Sequence, residues 1–224
     1  MKILALDTAT EACSAALLLD GEITDRFVVA PRRHNELILP MIDELLSDSG
    51  VRLKDLDYLA FGRGPGAFTG LRIAAGVVQG LALSQDIPVF GVSDLAAVAL
   101  RAGKKHGWKK VLVLTDARMQ EVYQGWYRVS VEQNRVELVG QESVTPPAQV
   151  EVPGDAGWQG AGSGFSAYAD ELGGVRKKLA GEDSDCLPRA TEIALLAVAL
   201  VGHQEPLKAE QALPVYLRDQ VTHD

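Results

Sequence analysis

The chain has 224 residues, 47% of them apolar and 23% charged, which is an ordinary composition for a globular protein with one large domain or two small lobes. Its formal net charge of −8 and its lack of a long Lys/Arg block argue against tight, unaided binding to nucleic acid. The two cysteines form no CxxC pair, and no stretch of about 18 residues is free of charges and strong helix breakers, so we expect a cytoplasmic protein without a disulfide framework or a membrane span.

Hydrophobic patterning predicts alternating strands and helices in the first half of the chain. The Asp20-Gly21 pair is typical of a hairpin turn, so the chain is expected to open with three consecutive antiparallel strands. Thr69 suits the N-cap of the helix that follows the glycine-rich stretch. The predicted elements in order are strands 2–7, 13–19 and 22–29, helix 34–48, strand 56–61, helix 70–84, strand 87–92 and helix 94–102.

The second half repeats this pattern after a polar, loop-like stretch at 103–107, which predicts lobes 1–103 and 104–224 with a C-terminal tail that can pack back on the first. Asp116 matches Asp7, and glycines 160–164 match glycines 62–66, so we interpret the halves as an internal duplication; the alternative is chance similarity. By fold-level analogy, such a duplicated unit indicates the two-lobed actin-like ATPase architecture, an α/β fold with mixed sheets flanked by helices. The predicted elements here are strands 111–116, 121–129 and 135–143, a Pro/Gly-rich stretch at 145–157, a strand end opening into glycines at 158–164, and helices 165–172 and 191–202.

The glycine-rich stretch GRGPGAFTGLRIAAG (62–76) raises the question of a phosphate-binding loop. It lacks the Gly-Lys-Ser/Thr of a Walker A loop, and its nominal G-x-G-x-x-A match to a dinucleotide-binding loop contains a proline that removes an N–H group. We therefore interpret it as a structural turn, although the helix N-terminus could still serve as an anion site. The loop residues concerned are Gly64, Pro65, Gly66, Thr69 and Gly70.

Asp7 and Asp116 are weak candidates for cofactor binding, because an acidic residue after the first strand of an actin-like lobe helps to hold a nucleotide. The alternative is that each aspartate caps its own turn. The four histidines form no HxxxH or HExxH pair, no GxSxG elbow is present, and neither cysteine has a catalytic signature. The residues therefore display no catalytic apparatus.

The helix predicted over 70–84 is apolar almost all round and must be covered on most sides. Gly76 and Gly80, four residues apart, flatten one of its faces. We favour a partner protein as the cover of this face and of Leu37, Met41 and Leu45 on the preceding helix; the second lobe is the alternative cover.

Six segments, spread over nearly the whole chain, resemble the TsaB (YeaZ) family of tRNA threonylcarbamoyladenosine biosynthesis proteins. This resemblance implies a duplicated actin-like (ASKHA) fold and a non-catalytic scaffold that binds and activates a TsaD-type catalytic paralogue. It further implies a TsaE-type ATPase as third partner, a homodimer when the chain is alone, only indirect contact with tRNA, and no cofactor except ATP or ADP at the shared interface. The segments are ILALDTAT (3–10), HNELILPMI (34–42), GPGAFTGLRIA (64–74), GVSDLAAVA (91–99), DARMQEVY (116–123) and PVYLR (214–218).

The chain departs from the TsaD-type relatives at their paired-histidine metal motif, because His34 is followed four residues later by Ile38. The resemblance therefore implies neither a metal site nor a catalytic residue. The rival hypothesis is a nucleotide-binding ATPase of actin-like fold that uses Asp7 and Asp116. The family's dimer contacts use the first two helices, which implies an interface of His34, Leu37, Met41, Leu45, Arg72, Ile73, Gly76, Val77 and Gly80.

Overall fold

The computed structural model describes residues 1–218, which divide into two compact units. Unit 1 comprises Met1–Ala97 and Pro188–Pro214. Unit 2 comprises Val98–Leu187 and, of the described residues after unit 1, those from 215 to 218. Unit 2 is therefore inserted into the sequence of unit 1, an arrangement that a single division after residue 103 does not include. No helix among the described residues is long and apolar enough to cross a membrane.

Ten strands and six helices form the described part of the chain. The strands are β1 Lys2–Asp7, β2 Ala12–Leu19, β3 Glu22–Val29, β4 Tyr58–Gly64, β5 Val89–Ser93, β6 Lys110–Asp116, β7 Val122–Ser130, β8 Arg135–Thr145, β9 Gln159–Ala161 and β10 Glu182–Asp183. The helices are α1 His34–Ser49, α2 Phe68–Gln85, α3 Asp94–His106, α4 Gly164–Ala167, α5 Gly173–Arg176 and α6 Ala190–Leu200, with 3-10 turns at Leu53–Asp55, Pro147–Gln149 and Ala209–Gln211.

The two units have sheets of the same topology, which confirms the predicted α/β fold of duplicated mixed sheets. The sheet of unit 1 has the order β3-β2-β1-β4-β5, and that of unit 2 has the matching order β8-β7-β6-β9-β10. In each sheet the first three strands pair antiparallel and the last two join in parallel. The three antiparallel strands predicted at the start of the chain are therefore confirmed.

The sheet of unit 1 is covered on both faces, which explains why its strands read as continuous apolar runs. Leu4 and Leu6 of β1 pack in one cluster with side chains of α1 and α2. Because side chains alternate along a strand, Ile3 and Ala5 point to the opposite face, where α6 packs. Ser14 fixes the start of α6, since its hydroxyl accepts a hydrogen bond from the Ala190 N–H at 2.9 Å.

Residues that follow α6 complete unit 1 at the edge of its sheet. Leu207 forms an antiparallel bridge with Val89 of the edge strand β5. Ala212 is fully buried in the same apolar cluster as α2, and its carbonyl accepts a hydrogen bond from the Gln79 side chain at 3.1 Å. This segment, 207–212, is called the C-terminal strap below.

Three predicted helix bounds are wrong. The N-cap of α2 is Ala67 rather than Thr69, and no side chain caps this end. The predicted loop at 103–107 belongs to α3 up to His106. Position 103 of this helix is glycine, and a methyl group there would stand 2.6 Å from a side-chain carbon of Val129. The helix predicted over 165–172 ends at residue 167, where Tyr168 leaves helical geometry and its hydroxyl donates to Asp116. The other bounds differ by a few residues.

Candidate functional site

The glycine loop, residues 62–70, packs tightly against the turn that ends β1. The Ala67 N–H donates to the Ala9 carbonyl at 2.7 Å, and the Thr8 hydroxyl donates to the Gly70 carbonyl at 2.7 Å. A methyl group on Gly66 would stand 2.6 Å from the Ala9 oxygen. The glycines therefore allow two backbone segments to approach one another.

Two N–H groups that a phosphate-binding loop would present to a ligand are used inside unit 1. Gly64, with a φ of 111° after β4, donates its N–H to Asp94 Oδ2 at 2.5 Å. Ala67 donates to Ala9, as described above. Pro65 has no N–H to offer. This is the geometry of a packed turn that leads into α2.

The buried Thr8 hydroxyl provides a direct test of this packing. We expect Thr8→Val, which keeps the shape of the side chain, to lower the free energy of unfolding by about 1 kcal/mol, because the buried hydrogen bond from the Thr8 hydroxyl to the Gly70 carbonyl is lost while this carbonyl keeps its bond within α2. Urea unfolding followed by far-UV circular dichroism measures the change. The matched control is the exposed Thr69→Val, which is expected to change stability by less than about 0.5 kcal/mol. Equal losses in both variants would contradict this assignment.

Asp7 is fully buried and turned inward at the end of β1. Its Oδ1 accepts the Ala9 N–H as a hydrogen bond at 2.9 Å, and the Asp94 carboxyl, which also hydrogen-bonds within unit 1, borders the same space beside Gly62. Burial is the main cause that raises the pKa of Asp7, opposed by hydrogen bonding and by the charge of His34. Asp7 Oδ1 is thus used inside unit 1, whereas the buried Oδ2 accepts no hydrogen bond from the described residues. Its role in cofactor binding stays a prediction.

Asp116, the counterpart of Asp7 in unit 2, also binds its own turn. Its Oδ1 accepts the Arg118 N–H at 2.7 Å and the Tyr168 hydroxyl at 3.0 Å. Its Oδ2 lies 2.9 Å from the Arg118 guanidinium. Both aspartates therefore have the capping role that was the alternative to nucleotide binding.

His34 is a buried residue at the start of α1, where its Nε2 lies 3.2 Å from the Ala12 carbonyl oxygen. It therefore links the helix to β2. Within residues 1–218, no group of three or more His, Cys, Asp or Glu side chains is arranged to hold a metal ion.

The predicted interface residues of α1 are only partly available at the surface. Leu45 is buried with the core of unit 1, and His34 is buried as described. Their role as contact residues stays a prediction. Leu37 and Met41 are half-buried. By helical spacing they share one side of α1 with Glu44, which contacts Arg26 of β3 at 3.3 Å.

The predicted interface residues of α2 lie nearer the surface. Arg72 and both glycines are exposed, and a methyl group on Gly76 or Gly80 would meet nothing within 4 Å. Ile73 and Val77 are half-buried against the core. The predicted helix-pair surface is thus mainly a surface of α2.

Two exposed leucines beside these residues escaped the prediction. Leu83 follows Gly80 by three residues and is 78% exposed. Leu213, 60% exposed, follows the Ala212 carbonyl that Gln79 holds. The spacing of four, four and three residues was the signal that could have identified Leu83. The α2 stripe is defined here as Arg72, Gly76, Gly80 and Leu83.

Comparison with known proteins shows similarity to one protein family, to curated relatives and to a solved structure. The family model "TsaD: tRNA N6-adenosine threonylcarbamoyltransferase" matches residues 28–210. The tRNA threonylcarbamoyladenosine biosynthesis protein TsaB of Escherichia coli is 39% identical over 99% of this chain and 96% of its own length. The TsaB protein of Haemophilus influenzae is 40% identical over 99% of this chain and 95% of its own. The sequence of YeaZ from Pseudomonas aeruginosa, whose structure has been solved, is 47% identical to this chain. The two structures superpose with a TM-score of 0.88 over 96% of this chain and 99% of the YeaZ chain.

Proposed function

The chain belongs to the TsaB (YeaZ) family, and from this premise we propose that it is the non-catalytic scaffold of the tRNA threonylcarbamoyladenosine modification complex. In this role it binds a TsaD-type catalytic paralogue, holds it in its active arrangement, and works with a TsaE-type ATPase in the cytoplasm. It meets tRNA only through the complex, and any ATP or ADP sits at the shared interface. Alone, it forms a homodimer through the same surface.

The observation that carries this proposal is the α2 stripe. Leu83 projects into solvent beside two glycines that carry no side chain, so the stripe offers a flat surface that a second helix can approach closely. Burying one leucine side chain contributes about 1.5–3 kcal/mol. The stripe stands on a helix whose start is fixed by the glycine loop, and a rigid surface loses little conformational freedom on binding.

The proposal is also supported by the hydrogen bonds of the residues that could take part in chemistry, which stay within their own units. Asp7, Asp116 and His34 each hydrogen-bond to backbone groups of their own unit. The reacting groups are therefore proposed to come from the paralogue. The full burial of the Asp7 carboxyl argues against the rival ATPase hypothesis, because a carboxylate that binds a metal–nucleotide needs an accessible oxygen.

Depletion of the protein from cells tests the pathway. We expect threonylcarbamoyladenosine to disappear from tRNA as the protein is diluted by growth, because the paralogue lacks its scaffold, and to return when the wild-type chain is supplied. Mass spectrometry of tRNA nucleosides measures the modification. Unchanged modification in depleted cells would refute the proposal.

Complementation with Asp7→Asn separates a scaffold from an enzyme. The asparagine can keep the hydrogen bond from Ala9, so the variant is expected to fold and to restore the modification fully. A variant that folds and binds the paralogue yet restores no modification would mean that this chain contributes chemistry.

A further inference from the structure

Asp7 and Asp94 form a buried carboxyl pair at the base of the glycine loop. Asp7 ends β1 and is 0% exposed; Asp94 begins α3 and is 2% exposed. Gly62 of β4 lies between them, and a methyl group there would overlap Asp94 Oδ1 and stand 2.7 Å from Asp7 Oδ1. Both carboxyls therefore border the same small space.

Two carboxylates in one dry site repel each other, and each loses its hydration, so they cannot both be charged. A single proton removes the repulsion and allows one carboxyl to donate a hydrogen bond to the other, for which the buried Asp7 Oδ2 has no other donor among the described residues. The ionisable groups that interact with Asp7 are His34 from α1 and Cys13 from β2. Helix α6, which packs on β1, has Arg189 at its N-cap and Glu192 in its first turn. Burial and the nearby Asp7 raise the pKa of Cys13 to about 11, so this thiol is neutral at physiological pH.

The pair holds three segments of unit 1 together. Asp94 Oδ2 accepts the Gly64 N–H at 2.5 Å, which fixes the glycine loop to the start of α3. Asp7 Oδ1 accepts the Ala9 N–H at 2.9 Å, which fixes the turn after β1. The Ala9 carbonyl in turn accepts the Ala67 N–H at the N-terminus of α2.

We propose that Asp7 and Asp94 share a single proton, and that this protonated pair locks the glycine loop and the start of α2 to β1 and α3. Asp94 is then a positioning residue, which acts on α2 through the Gly64 backbone. The inference goes beyond the scaffold role and does not depend on it, because the lock lies wholly within unit 1.

Infrared spectroscopy tests for the proton directly. We expect the wild-type protein at neutral pH to show the C=O stretching band of a buried, protonated carboxylic acid. The band should vanish in Asp94→Asn and in Asp7→Asn, since an amide can donate the hydrogen bond without a shared proton. Asp170→Asn, which removes an exposed carboxyl of unit 2, is the control and should keep the band. Its absence from the wild type would overturn the proposal.

The pH dependence of stability gives an independent readout. The pKa of Asp7 is raised in the folded state, so the linked stabilisation is complete below the unfolded value of about 4 and is lost as pH rises toward the folded value. In Asp94→Asn the repulsion between two carboxylates is gone while the burial of Asp7 remains, so this loss should become smaller. Over that window, the ratio of the folding equilibrium constants of variant and wild type should rise by up to about tenfold per pH unit.

Urea unfolding of wild type, Asp94→Asn and Asp170→Asn at a series of pH values from 5 to 8 measures this ratio. Curves for wild type and Asp94→Asn that stay parallel would overturn the shared proton. Asp94→Ala supplies the second variant, because it cannot accept the Gly64 N–H and should be less stable than Asp94→Asn at every pH. Equal stability of these two variants would overturn the lock.

Discussion

Replacing Gly70 by alanine is expected to lower the free energy of unfolding by about 3 kcal/mol, a large share of the stability of an ordinary domain. The added methyl group would overlap the Thr8 carbonyl oxygen, which is backbone and cannot rotate away. Relief requires α2 to move from β1, which also breaks the hydrogen bond from the Thr8 hydroxyl to Gly70. Far-UV circular dichroism during urea unfolding is the suitable measurement, because all three tryptophans, Trp108, Trp126 and Trp158, lie in unit 2.

Gly76→Ala on the same helix is the matched control for Gly70→Ala. A methyl group on Gly76 meets nothing within 4 Å, and alanine favours the helix over glycine by about 0.5–1 kcal/mol, so this variant is expected to be more stable than the wild type. The two substitutions make the same chemical change, but their expected effects on the free energy of unfolding have opposite signs. Similar destabilisation in both would mean that contact between α2 and β1 does not control the stability of unit 1.

Gly80→Leu is expected to weaken binding to the TsaD-type paralogue by about 100-fold or more, or about 2.7 kcal/mol, while the fold stays intact. A methyl group at position 80 meets no other atom of the protein within 4 Å, so nothing in unit 1 opposes the leucine side chain. On the α2 stripe, however, the leucine side chain would stand between α2 and the helix of the paralogue that approaches it. Isothermal titration calorimetry with the purified paralogue measures the affinity, and thermal unfolding of the variant alone verifies the fold.

Two controls separate contact at the stripe from a general effect of an added leucine. Glu171→Leu places a leucine on an exposed position of unit 2 and should leave the affinity unchanged. Gly80→Ala adds a single methyl group and should cause a smaller loss than Gly80→Leu. An affinity of Gly80→Leu equal to that of the wild type would remove the α2 stripe from the interface.

The elements of the fold could be predicted where the pattern is local. The apolar runs of β1 to β3, the Asp20-Gly21 turn and the repeat of the whole unit are all visible in the sequence. The start of α2 was misplaced because an N-cap is normally recognised by its side chain. Here Ala67 begins the helix through a backbone bond to Ala9, a residue far away in the sequence.

The candidate site could be predicted only in part for the same reason. Helical spacing identified the apolar positions of α1 and α2 but not which of them face the sheet, so Leu45 and His34 were placed at the interface although both are buried. The role of Asp94 could not be predicted from the sequence, because it depends on the contact of its carboxyl with Gly62 and Asp7. The parallel pairing of β1, β4 and β5 brings these residues together.

The insertion of unit 2 into unit 1 sets the order in which the protein can fold on the ribosome. The five strands of the first sheet emerge early, but α6, which covers one of their faces, follows only after Val98–Leu187 have been translated. At a synthesis rate of about 5–20 residues per second this delay is on the order of 10 s. During that time Ile3 and Ala5 face solvent, and the edge of β5 lacks the strap residue Leu207. Nascent chains should therefore need chaperone protection until α6 and the C-terminal strap have been synthesised.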